Sequence, residues 1–329
     1  MYPLRDPNCC CRGSAFSSKS SDRLINFVSF MIETTASSST KSFEKLRSQL
    51  RAIKQAHDQQ WVEGLVDRKK KEIEHSDAYH ATTHSGDQSA YQKGVRRRNY
   101  YTGTVLSDEF INTWIDLHAR NRVFLDYACG NGLLAIRAAK AGAGLAIGID
   151  LSAKSIANAA AIAEKEGVSH NTFFLQGDAE NTQLPSRSID AVMCAGMLHH
   201  VDLSYAFPEL RRILKPGGRI LAAEALDYNP AIKLYRNLTP RLRTAYEKDH
   251  ILSLKDVRFA QRFFQLEKVR YWHMTSIITP YAPALLPFLN GIDRVLTSIP
   301  LVRLMAWIFT FELVKSADEK SFSEIESSL

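Results

Sequence analysis

Between Val123 and Ala225 short apolar runs alternate with Ala- and Leu-rich stretches, and this alternation limits the fold more than any other feature. Val123-Phe124-Leu125-Asp126 reads as a buried strand, and after a turn of small residues Leu133 to Ala141 reads as a helix. Leu145 to Asp150 is a second strand, followed by a helix capped by Ser152 and reaching about Glu166. Thr172 to Gln176 and Ile189 to Cys194 are a third and a fourth. A helix ending over Leu210 to Leu214 is stopped by Lys215-Pro216-Gly217-Gly218, and Arg219 to Ala225 is a fifth strand. Strands separated by helices at this spacing run parallel, with helices on both faces of the sheet. The fold class is therefore α/β. Ligands of such sheets sit at the carboxyl ends of the strands, where the chain order reverses.

The residues at those ends are the informative ones. Asp126-Tyr127-Ala128-Cys129-Gly130-Asn131-Gly132 follows the first strand, and its small residues let the backbone turn sharply and approach a ligand. The second strand ends in Asp150, where a carboxylate can accept hydrogen bonds from both hydroxyls of a ribose. Gly177-Asp178-Ala179 follows the third, where an acceptor can meet an exocyclic adenine amine. A dinucleotide site would show GxGxxG, with a helix N-terminus facing the pyrophosphate. Here Asp126 stands at the end of the strand, badly placed for a pyrophosphate and well placed for a cationic amino-acid group. S-adenosylmethionine carries an ammonium, a sulfonium and no phosphate, so the electrostatics favour it over a nicotinamide dinucleotide.

On these residues the stretch resembles the class I S-adenosylmethionine-dependent methyltransferases, in the subgroup that includes ubiquinone and menaquinone biosynthesis methyltransferases. The matching segments are Leu125 to Gly132, Gly148-Ile149-Asp150-Leu151-Ser152 and Gly177-Asp178-Ala179-Glu180. They continue with Ile189-Asp190-Ala191-Val192, Met197-Leu198-His199-His200-Val201 and Leu214-Lys215-Pro216-Gly217-Gly218. One departure is Ala128, which stands where the family has the first of three glycines. The resemblance implies a Rossmann-like, seven-stranded, mostly parallel sheet whose last strand is antiparallel. It also implies that Asp126 holds the methionine ammonium of S-adenosylmethionine, while Ala128, Gly130 and Gly132 line its methionine and ribose. Asp150 would bind the ribose hydroxyls and Leu151 would pack on adenine. Asp178 and Ala179 would face the adenine edge, and Cys194 and Ala195 would border the methionine.

Methyl transfer from a sulfonium mainly needs alignment and desolvation, and a general base only if the acceptor arrives protonated. His199 and His200, just beyond the fourth strand, are the candidate catalytic residues, because imidazole titrates near neutrality. The alternative is that they cap a helix or pack beside the cofactor. The expected activity is methyl transfer to an oxygen or carbon, less readily nitrogen, of a small-molecule acceptor. A non-catalytic S-adenosylmethionine-binding factor and a nicotinamide-dependent oxidoreductase are the competing readings.

Around this core, residues 1 to 40 read as a Ser-rich disordered tail and 41 to 121 as a helical lead-in, in which Arg68–Lys71 is expected to be a solvated helix face. A methyltransferase domain would span 122 to 316, with helical inserts at about 228–262 and 277–306 and a polar tail over 317–329. Strand six is expected over Phe263 to Trp272 and strand seven over Phe309 to Lys315. Residues 231 to 262 hold eight basic residues against three acids, much of the excess behind a net charge of +7. That charge suits an anionic substrate or a membrane surface as well as plain solvation, and no recognised nucleic-acid module accompanies it. The Pro-punctuated insert between strands six and seven is expected to pack on the core, since apolar helical faces are usually buried. The alternative is an apolar patch for a lipid-like substrate or peripheral membrane contact. The five cysteines show no CxxC or Cys/His spacing, so neither a disulfide scaffold nor a metal is expected, and a reducing cytoplasmic compartment fits. No run of 18 apolar residues is present.

Overall fold

The computed structural model describes residues 41–84, 103–238, 246 and 250–317. The Ser-rich tail, the basic run Arg96–Arg98, the insert residues Arg241, Arg243 and Lys248, and the tail from 318 lie outside the described residues. The chain divides into two units, Met1–Lys45 and Leu46–Leu329. Of the first, residues 41–45 are described and are helical. Among its described residues the second contains a single sheet of seven strands.

The strands are β1 (Val123–Tyr127), β2 (Leu145–Asp150), β3 (Thr172–Gln176), β4 (Ile189–Ala195), β5 (Leu214–Ala225), β6 (Gln265–Trp272) and β7 (Ile308–Val314). Their order is β3-β2-β1-β4-β5-β7-β6, with β7 antiparallel to both neighbours and all other pairs parallel. This is the Rossmann-like sheet that the alternation implies. All of β1 and β2 is buried, as near-continuous apolar strands covered on both faces must be. The chain runs outward from β1 to β3 and then returns to β4 on the other side of β1, which opens a crevice above the carboxyl ends of β1 and β4.

Besides helical residues at 41–56 and 59–63, the helices are α1 (Asp67–His84), α2 (Val105–Ala119), α3 (Leu133–Lys140), α4 (Ala153–Lys165), α5 (Leu203–Ile213), α6 (Pro230–Leu238), α7 (Leu254–Ala260) and α8 (Leu286–Leu296) among the described residues. Ser152 caps α4 through its hydroxyl, which accepts from Ser155 N at 3.0 Å. Strand β5 begins earlier than the Pro-Gly-Gly signal suggests. Leu214 already pairs with Ile189, and a register slip before Ala191 absorbs the irregular Lys215–Gly218 stretch. Strand β6 begins at Gln265 because the N–H groups of Phe263 and Phe264 are held by the Ala260 carbonyl at the end of α7. No helix among the described residues is long and apolar enough to cross a membrane.

The β6–β7 insert departs from the expected core packing. In α8 the buried side chains are Leu289, Asn290 and Asp293, whereas Phe288 is 67% exposed and Val295 61%. The polar residues face inward because Asp293 closes the chain after β6, accepting from Thr275 N at 2.7 Å and Ser276 N at 3.1 Å.

Gly148 in β2 has a packing reason. A Cβ there would lie 2.6 Å from the Phe174 ring and 2.8 Å from Cys129 Sγ, so the ring occupies the space that a side chain would need. Gly148→Ala is expected to destabilise the protein by about 1–3 kcal/mol, the usual cost of overpacking. An unchanged melting temperature would show that Phe174 can swing aside freely.

Candidate active site

The turn after β1 takes the left-handed conformation three times, at Ala128 (φ 57°), Gly130 (φ 50°) and Gly132 (φ 71°). Glycine adopts this freely, whereas alanine incurs a steric cost of about 1–2 kcal/mol. Ala128 is held there because the adjoining Cys129 N–H is fixed to Ile149 O at 2.8 Å. Two carboxylates secure the rest of the turn. Asp150 Oδ2 accepts from Gly130 N at 2.8 Å and its Oδ1 from Ser152 N at 2.9 Å, while Asp126 Oδ2 accepts from Ala135 N at 3.0 Å.

Above the turn lies a cavity of about 900 Å³, near the upper end of the range for small-molecule sites. Ala128, Gly130, Asp150, Leu151, Asp178, Ala179, Ala195, His199 and His200 all line it. Asp126, Gly132 and Cys194 do not. Asp126 and Cys194 are buried beneath it, and Gly132 sits at the entry of α3 with Phe174 2.5 Å from where its Cβ would be. The carboxylate expected to meet a ligand's ammonium is thus seen capping α3, where the helix N-terminus favours an anion.

Burial pushes the Asp126 carboxyl up to about 7, with the N–H groups of Ala135 and Leu134 opposing and the charge of Asp150 adding. Burial also raises Asp150, against its hydrogen bonds from Ser152 and Gly130.

The wall over the adenine side is the part that the sequence concealed. Lys69 of α1 donates to Asp178 Oδ2 at 2.6 Å and pairs with Glu180 Oε2 at 2.8 Å. Burial opposes the Lys69 charge, but these two carboxylates hold its ammonium above the usual range. Arg68 reaches the His200 carbonyl at 2.8 Å and also pairs with Glu180. The first half of the basic run is therefore no solvated face: Arg68 and Lys69 stitch α1 across the cavity, while Lys71 is exposed. A run of charges carries no mark of which side of its helix will be covered, so nothing local announced this.

The two histidines sit in a short 3-10 turn after β4, with ring centroids 4.2 Å apart. His199 Nδ1 lies 2.7 Å from Glu224 Oε2, and His200 Nδ1 lies 3.1 Å from Glu72 Oε2. Glu224 is buried in β5, and its other oxygen accepts from Met197 N at 2.8 Å and Leu198 N at 2.7 Å. An ionised carboxylate only accepts, so this pairing places the proton of a neutral His199 on Nδ1 and leaves Nε2 as the basic nitrogen. Glu224 was missed, though one acid inside the apolar strand Ile220–Ala225 is a legible signal that a buried partner awaits it.

Among the described residues, six carboxylates line the cavity (Glu72, Asp108, Asp150, Asp178, Glu180 and Glu224) against three cations (Arg68, Lys69 and Arg236). A basic protein thus presents an acidic cavity. That donor set suits a ligand with positive charge and hydroxyl groups, and disfavours a pyrophosphate.

Comparison with known proteins places this geometry in a class. A family model described as a methyltransferase domain matches residues 124–218. The 27-O-demethylrifamycin SV methyltransferase of Amycolatopsis mediterranei is 35% identical over 113 residues, 34% of this chain and 41% of its own length. The ribosomal protein L11 methyltransferase of Pasteurella multocida is 30% identical over 118 residues, 36% of this chain and 39% of its own length. Among solved structures, a geranyl diphosphate methyltransferase bound to geranyl diphosphate and sinefungin superposes with a TM-score of 0.47 at 14% identity, covering 63% of this chain and 77% of that one. The chain thus spans about two fifths of the length of the curated relatives it matches. Residues 124–218 are a class I S-adenosylmethionine-dependent methyltransferase domain.

The shift at Asp126 has a measurable consequence. Unfolded, its carboxyl titrates near the ordinary carboxylate value of 3.8, and folded at about 7, so between these values the native state binds more protons and loses stability as pH rises. Asp126→Asn removes that dependence. Its stability relative to the parent, read from melts at each pH, is expected to climb between about pH 4 and pH 7 by an amount on the order of a few kcal/mol, and to level off above. A difference that is flat with pH would show Asp126 ionised throughout.

Proposed function

We propose that the protein transfers a methyl group from S-adenosylmethionine to a small-molecule acceptor that arrives protonated, through a hydroxyl or an acidic carbon. The observation that carries this reading is the His199–Glu224 pair on the wall of an acidic cavity. When bound, S-adenosylmethionine supplies a methyl group on a cationic sulfur, already activated for displacement. Asp150, buried and anchored at both oxygens, keeps lone pairs for a ribose diol, and Leu151 and Ala179 offer apolar walls for adenine. The excess of carboxylates suits the ammonium and sulfonium charges. Asp126 and Gly132 act at one remove, by holding the turn.

The residues of the chain then divide the work of the acceptor step. Glu224 holds the His199 ring by Nδ1, which sets the tautomer and leaves Nε2 as the accepting nitrogen. Nε2 takes the proton from the acceptor, a contribution of roughly 10²–10⁴-fold in rate. Ile111, Ile232, Trp307 and Ile308 line the remaining part of the cavity, an apolar wall that excludes water from an uncharged portion of the acceptor. The names of the relatives mention acceptors as different as a rifamycin and a ribosomal protein, and all four wall residues lie outside the stretch 124–218 that the family model matches.

Two measurements test the reading. Asp150→Ala is expected to weaken S-adenosylmethionine binding at least about tenfold, equivalent to about 1.4 kcal/mol; unchanged affinity in calorimetry would mean that the ribose anchor is elsewhere. His199→Ala is expected to leave that affinity within about twofold while reducing release of S-adenosylhomocysteine from fed metabolite extracts by roughly 10²–10⁴-fold. A parent protein that binds S-adenosylmethionine and releases no S-adenosylhomocysteine from any extract would identify a non-catalytic binding factor instead.

A further inference from the structure

We propose that the insert between β6 and β7 is a docking surface for an anionic lipid bilayer. Helix α8 carries apolar side chains on two faces: Leu289 is buried with Asn290 and Asp293, while a second set faces solvent. Asp293, 1% exposed, turns inward to hold Thr275 and Ser276, and Asn290 is buried beside it. The opposite stripe, Leu285, Phe288 and Val295, follows helical spacing and faces solvent. The flanking turns extend the same chemistry with Tyr281, 85% exposed, and Leu301, 79% exposed. Exposed apolar side chains gathered on one insert mark a candidate site of contact.

Charge selects the occupant. Between His273 and Trp307 the only acid is Asp293, and its carboxylate is consumed inside the protein. The formal charge that the insert displays is therefore that of Arg294 and Arg303, both exposed. A second copy docking by the same face would set these arginines against each other across a two-fold axis, a costly juxtaposition of like charges. Anionic headgroups satisfy them, and acyl chains receive Phe288 and Leu301, as in helices that lie along the bilayer interface. The patch also adjoins the cavity. Asn229, at the entry of α6, donates to the Met305 carbonyl at 2.5 Å, and these two segments lead directly into Ile232 and Trp307 of the cavity wall. A bilayer held by the insert therefore lies beside the site, where an acceptor carried in the membrane has a short path to it.

The test uses the full chain, floated with vesicles of phosphatidylcholine alone or of phosphatidylcholine enriched in phosphatidylserine. Binding is expected to the phosphatidylserine vesicles, weakening as salt is raised. Phe288→Glu with Leu301→Glu is expected to lower partitioning about tenfold or more with an unchanged thermal melt, since both side chains are exposed in the free protein. Arg294→Gln with Arg303→Gln is expected to cut the preference for phosphatidylserine by about fivefold per arginine. Failure to float with either vesicle would overturn the proposal, as would equal binding to both. A dimer in solution that the glutamate variant converts to monomer, without any vesicle binding, would assign the face to a second copy. None of these outcomes depends on methyl transfer, so failure here and failure of the proposed activity are separately visible.

Discussion

The bend that joins β1 to α3 exposes backbone N–H groups in a dry place, and two buried carboxylates accept them. Gly130 N–H is taken by Asp150 and Ala135 N–H by Asp126, so the turn is tied to the end of β2 on one side and to the end of β1 on the other. Removing either acceptor would leave a buried donor unsatisfied, which is costly in a low dielectric. The packing beneath follows from the same bend. Phe174 fills the space left open by Gly132 and Gly148, which brings strand, turn and helix close together and leaves the cavity floor flat and small-walled. Desolvation of the carboxylates is the thermodynamic counterpart, visible in the raised Asp126 and Asp150.

Electrostatics separates this site from the rest of the molecule. The chain is basic as a whole, yet its cavity collects six carboxylates. Two cations of α1 offset part of that charge from the rim, and they do so as structural ties: Lys69 links Asp178 to Glu180, and Arg68 links Glu180 to the His200 carbonyl. The histidine turn is consequently fixed from two directions, by α1 at His200 and by Glu224 at His199. The proposed base, His199, needs its orientation set before an acceptor arrives, and a buried carboxylate that also binds the N–H groups of Met197 and Leu198 supplies that rigidity.

The β6–β7 insert shows how one buried side chain can set the orientation of a whole helix. Asp293 is needed to satisfy the backbone where the chain leaves β6, and once it points inward the helical period carries Phe288 and Val295 outward. Burying the apolar stripe instead would send Asp293 to solvent and strip Thr275 and Ser276 of their acceptor.

The sequence by itself determined the sheet, the order of its elements and the position of the turn. These rest on short-range signals: the period of apolar residues, the Ser152 cap, and small residues at carboxyl ends of strands. Most residues of the candidate site were legible for the same reason, since Asp150, Asp178, Ala195 and His199 stand where strands end and so reach one cavity. Only the tertiary structure decided which charges turn inward. Lys69 and Arg68 needed the docking of α1, Glu224 needed a histidine from a different strand end, and Asp126, Gly132 and Cys194 dropped beneath the cavity once α3 was packed. Local pattern fixes where a side chain lies along its own helix or strand, whereas its partner and its exposure depend on segments far away in the chain.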